Sequence, residues 1–218
     1  EEFTYDENGN RTTAGGASYA TGPNNQLLSD GTYRYEYDAE GNRTLRFVDA
    51  DQSGTLTAGD TAITAYAWDH RNRLVEVRDF ADHAAYTAGT PSQIVQYAYD
   101  FGNRWVRKVL DADGDGVADA STIFVHDDGQ IVLDFAHTGP GDAAAGDLAH
   151  RYLWGPAVDQ LLAQEQMSPL SPGEGQGEGY DLSTPGETLW ALTDHLNSVR
   201  DLAQHDEGTD TTTVARHI

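Results

Sequence analysis

Two stretches of the chain space their carboxylates as a hard cation requires. In DADGDGVAD, residues 111–119, Asp111, Asp113 and Asp115 fall at positions 1, 3 and 5 of a D-x-D-x-D-G pattern, with Gly116 at the turn position 6 and Asp119 at position 9. Calcium takes roughly six to eight oxygen ligands at about 2.3–2.6 Å, and alternate aspartates on a tight loop converge on one point, where the Val117 carbonyl would add a backbone oxygen. Thr122 stands where a closing glutamate would sit at position 12. DADQSGTLTAGD, residues 49–60, repeats the idea with Asp49, Asp51, Ser53, a turn at Gly54, the Thr55 carbonyl and Asp60 at position 12. Asp is a shorter closing ligand than Glu. The expected cofactor is Ca2+, and the alternative for each loop is a solvated acidic turn, since Asp and Gly are ordinary turn residues.

Other chemistry fares less well. Glycoside hydrolysis needs two carboxyl groups about 5–9.5 Å apart, one of them raised by burial, whereas these acids cluster in turns that read as exposed. Asp194, His195 and Ser198 make a triad by composition, but they are close neighbours without a strained nucleophile turn. The eight histidines show neither His-x-His nor His-Glu-x-x-His spacing, so zinc is not expected. His126, His150 and His195 read as edge or partly buried strand residues. No catalytic residues are assigned, and the chain is not expected to be an enzyme. A net charge of −23, from 36 acidic against 13 basic side chains, argues against nucleic acid, whose phosphates need clustered Lys and Arg. That charge favours cations, and bound divalent ions would offset its self-repulsion. The absence of cysteine excludes disulfides and thiolate metal sites. No apolar run approaches the roughly 18 residues of a membrane span.

The elements that must position these loops are repeated hairpins. TYDENGNRT (4–12), YEYDAEGNRT (35–44), YAWDHRNRLVEVR (66–78) and YAYDFGNRWVRKV (97–109) are copies of one unit, with Asp6, Asp38, Asp69 and Asp100 spaced 32, 31 and 31 residues apart. IFVHDDGQIVLDF (123–135) is a weaker fifth copy around Asp127. Tyr33, Tyr35 and Tyr37 alternate with Arg34 and Glu36, the period-two pattern of a strand with one apolar face. Asp-x-x-Gly-Asn then supplies a turn, in which Gly or Asn takes a positive φ. A second alternating run follows, with Leu45 and Phe47, or Ile131, Leu133 and Phe135. Each unit is therefore expected to be a β-hairpin, and its aspartate to accept turn hydrogen bonds. The tyrosine stripe Tyr33, Tyr35, Tyr37, Tyr97 and Tyr99 could stack sugars, but period-two aromatics favour packing.

The fold class is all-β, with consecutive antiparallel hairpins joined by the polar inserts 20–31, 49–60, 81–93, 111–120 and 137–147. The last of these lacks alternating acids and is expected to hold no ion. Residues 1–166 read as the hairpin array and 167–188 as a Gly/Pro/Glu-rich surface loop. Residues 158–166 suit a short helix or a strand equally. The chain opens inside a strand-like pattern, so a piece of a larger protein is expected.

The unit Tyr-x-Tyr-Asp-x-x-Gly-Asn-Arg resembles the YD repeats of the Rhs family. YEYDAEGNRT and YAYDFGNRW match it well; YAWDHRNRL has Trp68 for the second Tyr and Arg71 where Gly is usual. LWALTDHLNSVRDL (189–202) is similar to the start of the Rhs-associated core, with Asn197 in place of the usual Gly, so 189–218 is read as a core-like segment. The resemblance implies a hairpin sheet coiling into a shell, as in Rhs toxins, the cocoon of insecticidal toxin complexes and teneurins. It lends these residues neither self-cleavage nor toxin activity. The acidic loops resemble EF-hand or dockerin calcium loops, with strands where those have helices. The function expected is a noncatalytic, calcium-stabilised scaffold, casing or filament-forming module, extracellular or on the cell surface. It would self-associate through sheet edges or join further segments of its parent protein. The alternative is an adhesin-like module that binds glycan or protein through its loops and through Tyr97 or Trp105. A hydrolase is the remaining, less favoured reading.

Overall fold

A computed structural model of the chain describes residues 2–157, 160–167, 187–193, 199–206 and 208–217. β1 (Phe3–Tyr5), β2 (Arg11–Ala14) and β3 (Ala17–Ser18) form a three-stranded sheet. The other strands are β4 (Ala20–Thr21), β5 (Leu27–Ser29), β6 (Arg34–Tyr37), β7 (Arg43–Val48), β8 (Thr61–Trp68), β9 (Leu74–Asp82), β10 (Gln93–Tyr99), β11 (Trp105–Asp111), β12 (Ala120–Asp127), β13 (Gln130–Thr138), β14 (Leu148–Trp154), β15 (Leu161–Gln166), β16 (Glu187–Thr193), β17 (Val199–Asp206) and β18 (Thr211–His217). They make a 15-stranded antiparallel sheet in which each strand lies beside its neighbour in sequence. The fold is all-β, as the alternating patterns require. Of the two options for 158–166, the described part is the strand β15. Asp194, His195 and Ser198, set aside as a triad on sequence grounds, and most of the 167–188 loop lie outside the described residues. The chain divides into two compact units, Glu1–Ala98 with Val109–Asp119 and Tyr99–Lys108 with Ala120–Ile218.

In the first unit the hairpin turns share one wiring. The N–H of Asp6, Asp38 and Asp69 donates to the carbonyl four residues on, at 2.8, 2.9 and 3.0 Å, and the N–H three residues on returns to the Asp carbonyl at 3.0–3.1 Å. The residue at that third place has a positive φ: Gly9 (83°), Gly41 (89°) and Asn72 (57°). This is a type I turn followed by a left-handed residue, the usual three-residue hairpin with a bulge. Arg71 therefore does not replace the glycine. Asn72 does, because this copy is one residue shorter than the Asp-x-x-Gly-Asn-Arg form, and Asn tolerates the left-handed region better than other side chains do. In the second unit Asp100 repeats the arrangement, with Asn103 at φ 67°. The weak copy is a tighter hairpin in which Asp127 pairs directly with Gln130.

The register across β6 and β7 puts the apolar stripes of the two strands on opposite faces. Tyr35 pairs with Arg46, and Arg34 with Phe47. Directly paired residues share a face, so the tyrosines of one strand and the Leu/Phe stripe of the next point to opposite sides. On one side Leu45, Phe47, Ile63 and Phe80 form a buried cluster. Leu56 and Ala85, both from inserts, pack against it. On the other side Arg43 lies over the Tyr35 ring at 4.2 Å and Arg46 over Tyr33 at 4.7 Å. Arg46 also donates to Thr64 Oγ1 (2.9 Å), which donates to Asp79 (2.7 Å).

The inserts are thus more ordered than polar connections need be. Residues 20–31 contain β4 and β5. Residues 81–93 contain the helix α1 (His83–Ala88), which the sequence pattern did not suggest. Asp82 caps it by accepting from the Ala85 N–H (2.8 Å), and Gly89 ends it in the left-handed conformation at φ 68°. Six residues are too few for a 3.6 period to register, so packing decides: Tyr86 meets Phe80 edge to face at 5.3 Å. The 137–147 segment ends in a single 3-10 turn at Ala145–Asp147. Among the described residues no helix is long and apolar enough to cross a membrane.

Candidate functional site

Both acidic loops belong to the first unit, where they connect β7 to β8 and follow β11. They are wired alike. Asp49 accepts from the N–H groups of Ser53 (3.0 Å) and Gly54 (2.9 Å). Asp111 accepts from Gly114 (2.7 Å) and Gly116 (2.8 Å). Each loop is closed by a later aspartate that accepts from the second residue, Asp60 from Ala50 (2.8 Å) and Asp119 from Ala112 (2.7 Å). The Asp119 N–H donates to the Leu110 carbonyl (2.8 Å), continuing that closure. These bonds fold each loop around its first aspartate.

The carboxylates converge. Asp49, Asp51 and Asp60 each bring an oxygen within 4.8 Å of the other two, and so do Asp111, Asp113 and Asp115. Oxygens bound to one calcium at about 2.4 Å can lie at most about 4.8 Å apart, so neither donor set is too wide to share an ion. The remaining sequence candidates have other partners. Asp119 sits at the loop base as described. Ser53 donates its hydroxyl to the Thr55 carbonyl (2.9 Å), joining two of the expected donors to each other. Val117 is held by its N–H donating to Asp115 (2.7 Å).

The two loops differ at one carboxylate, the buried Asp60. Asp60 is 1% exposed, and its second oxygen accepts from the N–H (2.7 Å) and hydroxyl (3.2 Å) of Thr57. Asp51 accepts from the Thr57 hydroxyl (3.0 Å) and the Ser53 N–H (3.0 Å). Its carboxyl is held below the usual range, first by the Ser53 side chain and then by the Ser53 backbone N–H. For Asp111, burial raises the carboxyl, but the N–H groups of Gly116, Gly114, Asp113 and Asp115 together outweigh it and leave it low. Asp113 and Asp115 are exposed. The carboxylate form needed for a cation is therefore favoured at Asp51 and Asp111 before any ion arrives.

The repeat aspartates are spent on their turns. Besides the backbone bonds, Asp38 accepts from the Asn42 N–H (2.7 Å) and amide side chain (3.0 Å), and Asp6 from Asn10 in the same way. Asp69 and Asp100 instead take the Nε of Arg73 and Arg104, both at 2.7 Å. The Arg73 side chain holds Asp69 down to about 2. A neighbouring turn is joined laterally where Asn42 donates to the Asn72 side chain (3.0 Å). None of these acids has the raised carboxyl that acid catalysis requires.

Two features escaped the sequence. Asp134, nearly buried, lies 2.9 Å from His150 Nδ1 and accepts from the Tyr152 hydroxyl (2.7 Å). Burial raises Asp134, but its hydrogen bonds to His150 and then Tyr152 leave it low; burial and Asp134 push Tyr152 up. These residues come from β13 and β14, and no local spacing announces a cross-strand group. The second feature is Arg34 beside loop 49–60. As for the aromatic stripe, the rings of Tyr33 and Tyr35 are covered by arginines, and Trp105 packs at 4.6 Å on Phe124.

Among solved structures, the crystal structure of TcdB2-TccC3 matches with a TM-score of 0.52 and 13% identity, over 98% of this chain and 12% of that one. The crystal structure of TcdB2-TccC3-Cdc42 matches with a TM-score of 0.49 and 12% identity, over 98% and 12%. At such identity the first likeness is one of fold. This chain spans only 12% of the chain it matches. No family model matches the sequence, and no curated protein matches it. The large antiparallel sheet and the likeness to TcdB2-TccC3 agree on an all-β fold.

Proposed function

We propose that this chain is a noncatalytic YD-repeat scaffold module in which calcium clips the acidic loop 111–119. The observation that carries the reading is the fate of the acids. The repeat aspartates at 6, 38, 69 and 100 are all consumed as turn acceptors, and the remaining clusters sit in loops whose oxygens converge. Asp111, Asp113 and Asp115, with the Val117 carbonyl, would hold the ion; Asp49, Asp51 and Asp60 form a second acidic set, which Arg34 faces. A bound cation would neutralise part of the −23 charge and fix loops that otherwise cost closure entropy. A calcium affinity near millimolar would fit an extracellular or surface setting. The shell-forming hairpin fold of the YD resemblance and the fold shared with TcdB2-TccC3 support the role of scaffold or casing. Among the described residues β18 borders the sheet, a position that suits addition of a further strand from the parent protein or another copy.

Calorimetric titration of calcium and magnesium into chelator-stripped protein tests the ion reading. Saturable calcium binding, weakened at least about tenfold by Asp113→Ala and exceeding magnesium binding, is expected from a loop of flexible oxygen donors. A flat titration with both metals at millimolar concentration would remove the calcium part and leave the scaffold reading to rest on the fold.

A further inference from the structure

The two acidic loops share a pattern but not a neighbour. β6 begins at Arg34, which pairs with Phe47 two residues before loop 49–60 opens. Its guanidinium donates from Nη2 to the Gly54 carbonyl (3.0 Å), and its Nε lies 3.7 Å from Asp49 Oδ2. That Nε is buried and makes no hydrogen bond, so Asp49 is the anion it faces. The guanidinium thus touches the loop at position 1 and position 6, the two places around which its backbone folds. Loop 111–119 meets a different group. A Cβ on Gly114 would collide with the Pro91 carbonyl oxygen, so this loop is backed by a carbonyl, which carries partial negative charge, and not by a cation.

We propose that Arg34 is the built-in counter-ion of loop 49–60, so that this loop is held closed by the protein's own cation while loop 111–119 is the one that takes a divalent ion. The inference rests on the ion reading above for its second half only. Guanidinium is always protonated, and its fork matches oxygen acceptors in fixed directions. It can supply the positive charge that three converging carboxylates demand. Asp60 is buried and its two oxygens accept from the N–H groups of Ala50 and Thr57, so an incoming ion would have to displace protein hydrogen bonds at loop 49–60. Asp113 and Asp115 are exposed to solvent. Arg34 is therefore a specificity-determining residue that acts by setting a fixed cation against Asp49.

The test pairs amide hydrogen exchange with calcium stoichiometry on the full chain. In chelator, Arg34→Met is expected to speed exchange of the Ser53 and Gly54 amides about tenfold, the effect of losing one hydrogen bond to a charged group. The Gly114 and Gly116 amides should be unchanged, and the Ile63 amide reports that the fold survives. Arg34→Lys, which keeps the charge, should restore much of the protection. In the wild type, calcium should bind at one equivalent, lost in Asp113→Ala and kept in Asp51→Ala. Unchanged Gly54 exchange in Arg34→Met, or wild-type calcium binding that needs Asp51, would overturn the proposal. Faster Gly54 exchange in a chain that takes no calcium would sink the ion reading and leave the counter-ion role standing.

Discussion

Asp69 shows how an acid in this chain is committed to architecture. The side chain of Arg73 holds its carboxyl at about 2, below the ordinary 3.8. A carboxyl depressed by folding contributes stability above its unfolded pKa and loses it as pH falls through the folded value. The Asp69 contribution should be complete above about pH 4 and disappear between about pH 4 and 2. Urea unfolding along that window, followed by circular dichroism, should show the wild type losing stability, while Asp69→Asn starts lower and loses less. Parallel pH profiles for the two would contradict the assignment. That the repeat aspartates serve turns was legible, because Asp before x-x-Gly-Asn is turn chemistry. The Arg73 partner was not, since the shortened copies put Arg where the longer ones have Asn. Nor was Asp134, whose partners arrive across a strand pair. Tyr152→Phe removes one donor from that nearly buried carboxylate and should cost about 1–3 kcal/mol by denaturant unfolding, against no loss if the hydroxyl is incidental.

The hairpin as an element was readable from its alternation, and its facing was not. Period two gives each strand two faces, but only the turn decides which face of the next strand joins it, and a bulged three-residue turn reverses the naive choice. The tyrosines therefore pack under Arg43 and Arg46 while Phe47 turns to the other side. Gly41, at φ 89°, is the position where this turn excludes a side chain. Gly41→Ala should destabilise by about 1–2 kcal/mol, whereas Asn72→Gly should be close to neutral; equal effects would mean the positive φ is not what these residues supply. The inserts also gained a role that polarity concealed. Leu56 lies in an acidic loop yet packs on the Leu45, Phe47, Ile63 and Phe80 cluster. Leu56→Ala should cost roughly 1–3 kcal/mol for a partly buried leucine, measured by chemical denaturation, and a neutral result would detach the loop from the core.

For the whole molecule the governing quantity is charge. A formal −23 on 218 residues works against compaction, and the chain answers it by turning acids into acceptors for backbone N–H groups, by the guanidinium at Arg34, and, on the proposed reading, by calcium at loop 111–119. The fold class and the two loops could be read from sequence because both are local patterns repeated along it. The carbonyl behind Gly114 and the arginine behind Gly54 could not, because they are brought together by strand order. The most direct measurement is the thermal melt of wild type and Asp113→Ala, each in chelator and in saturating calcium. An ion at about a hundred times its dissociation constant adds about 2.7 kcal/mol, or roughly 5–10 °C for a chain of this size. The account predicts that rise for the wild type and a much smaller one for Asp113→Ala. Superimposable wild-type melts with and without calcium would contradict it.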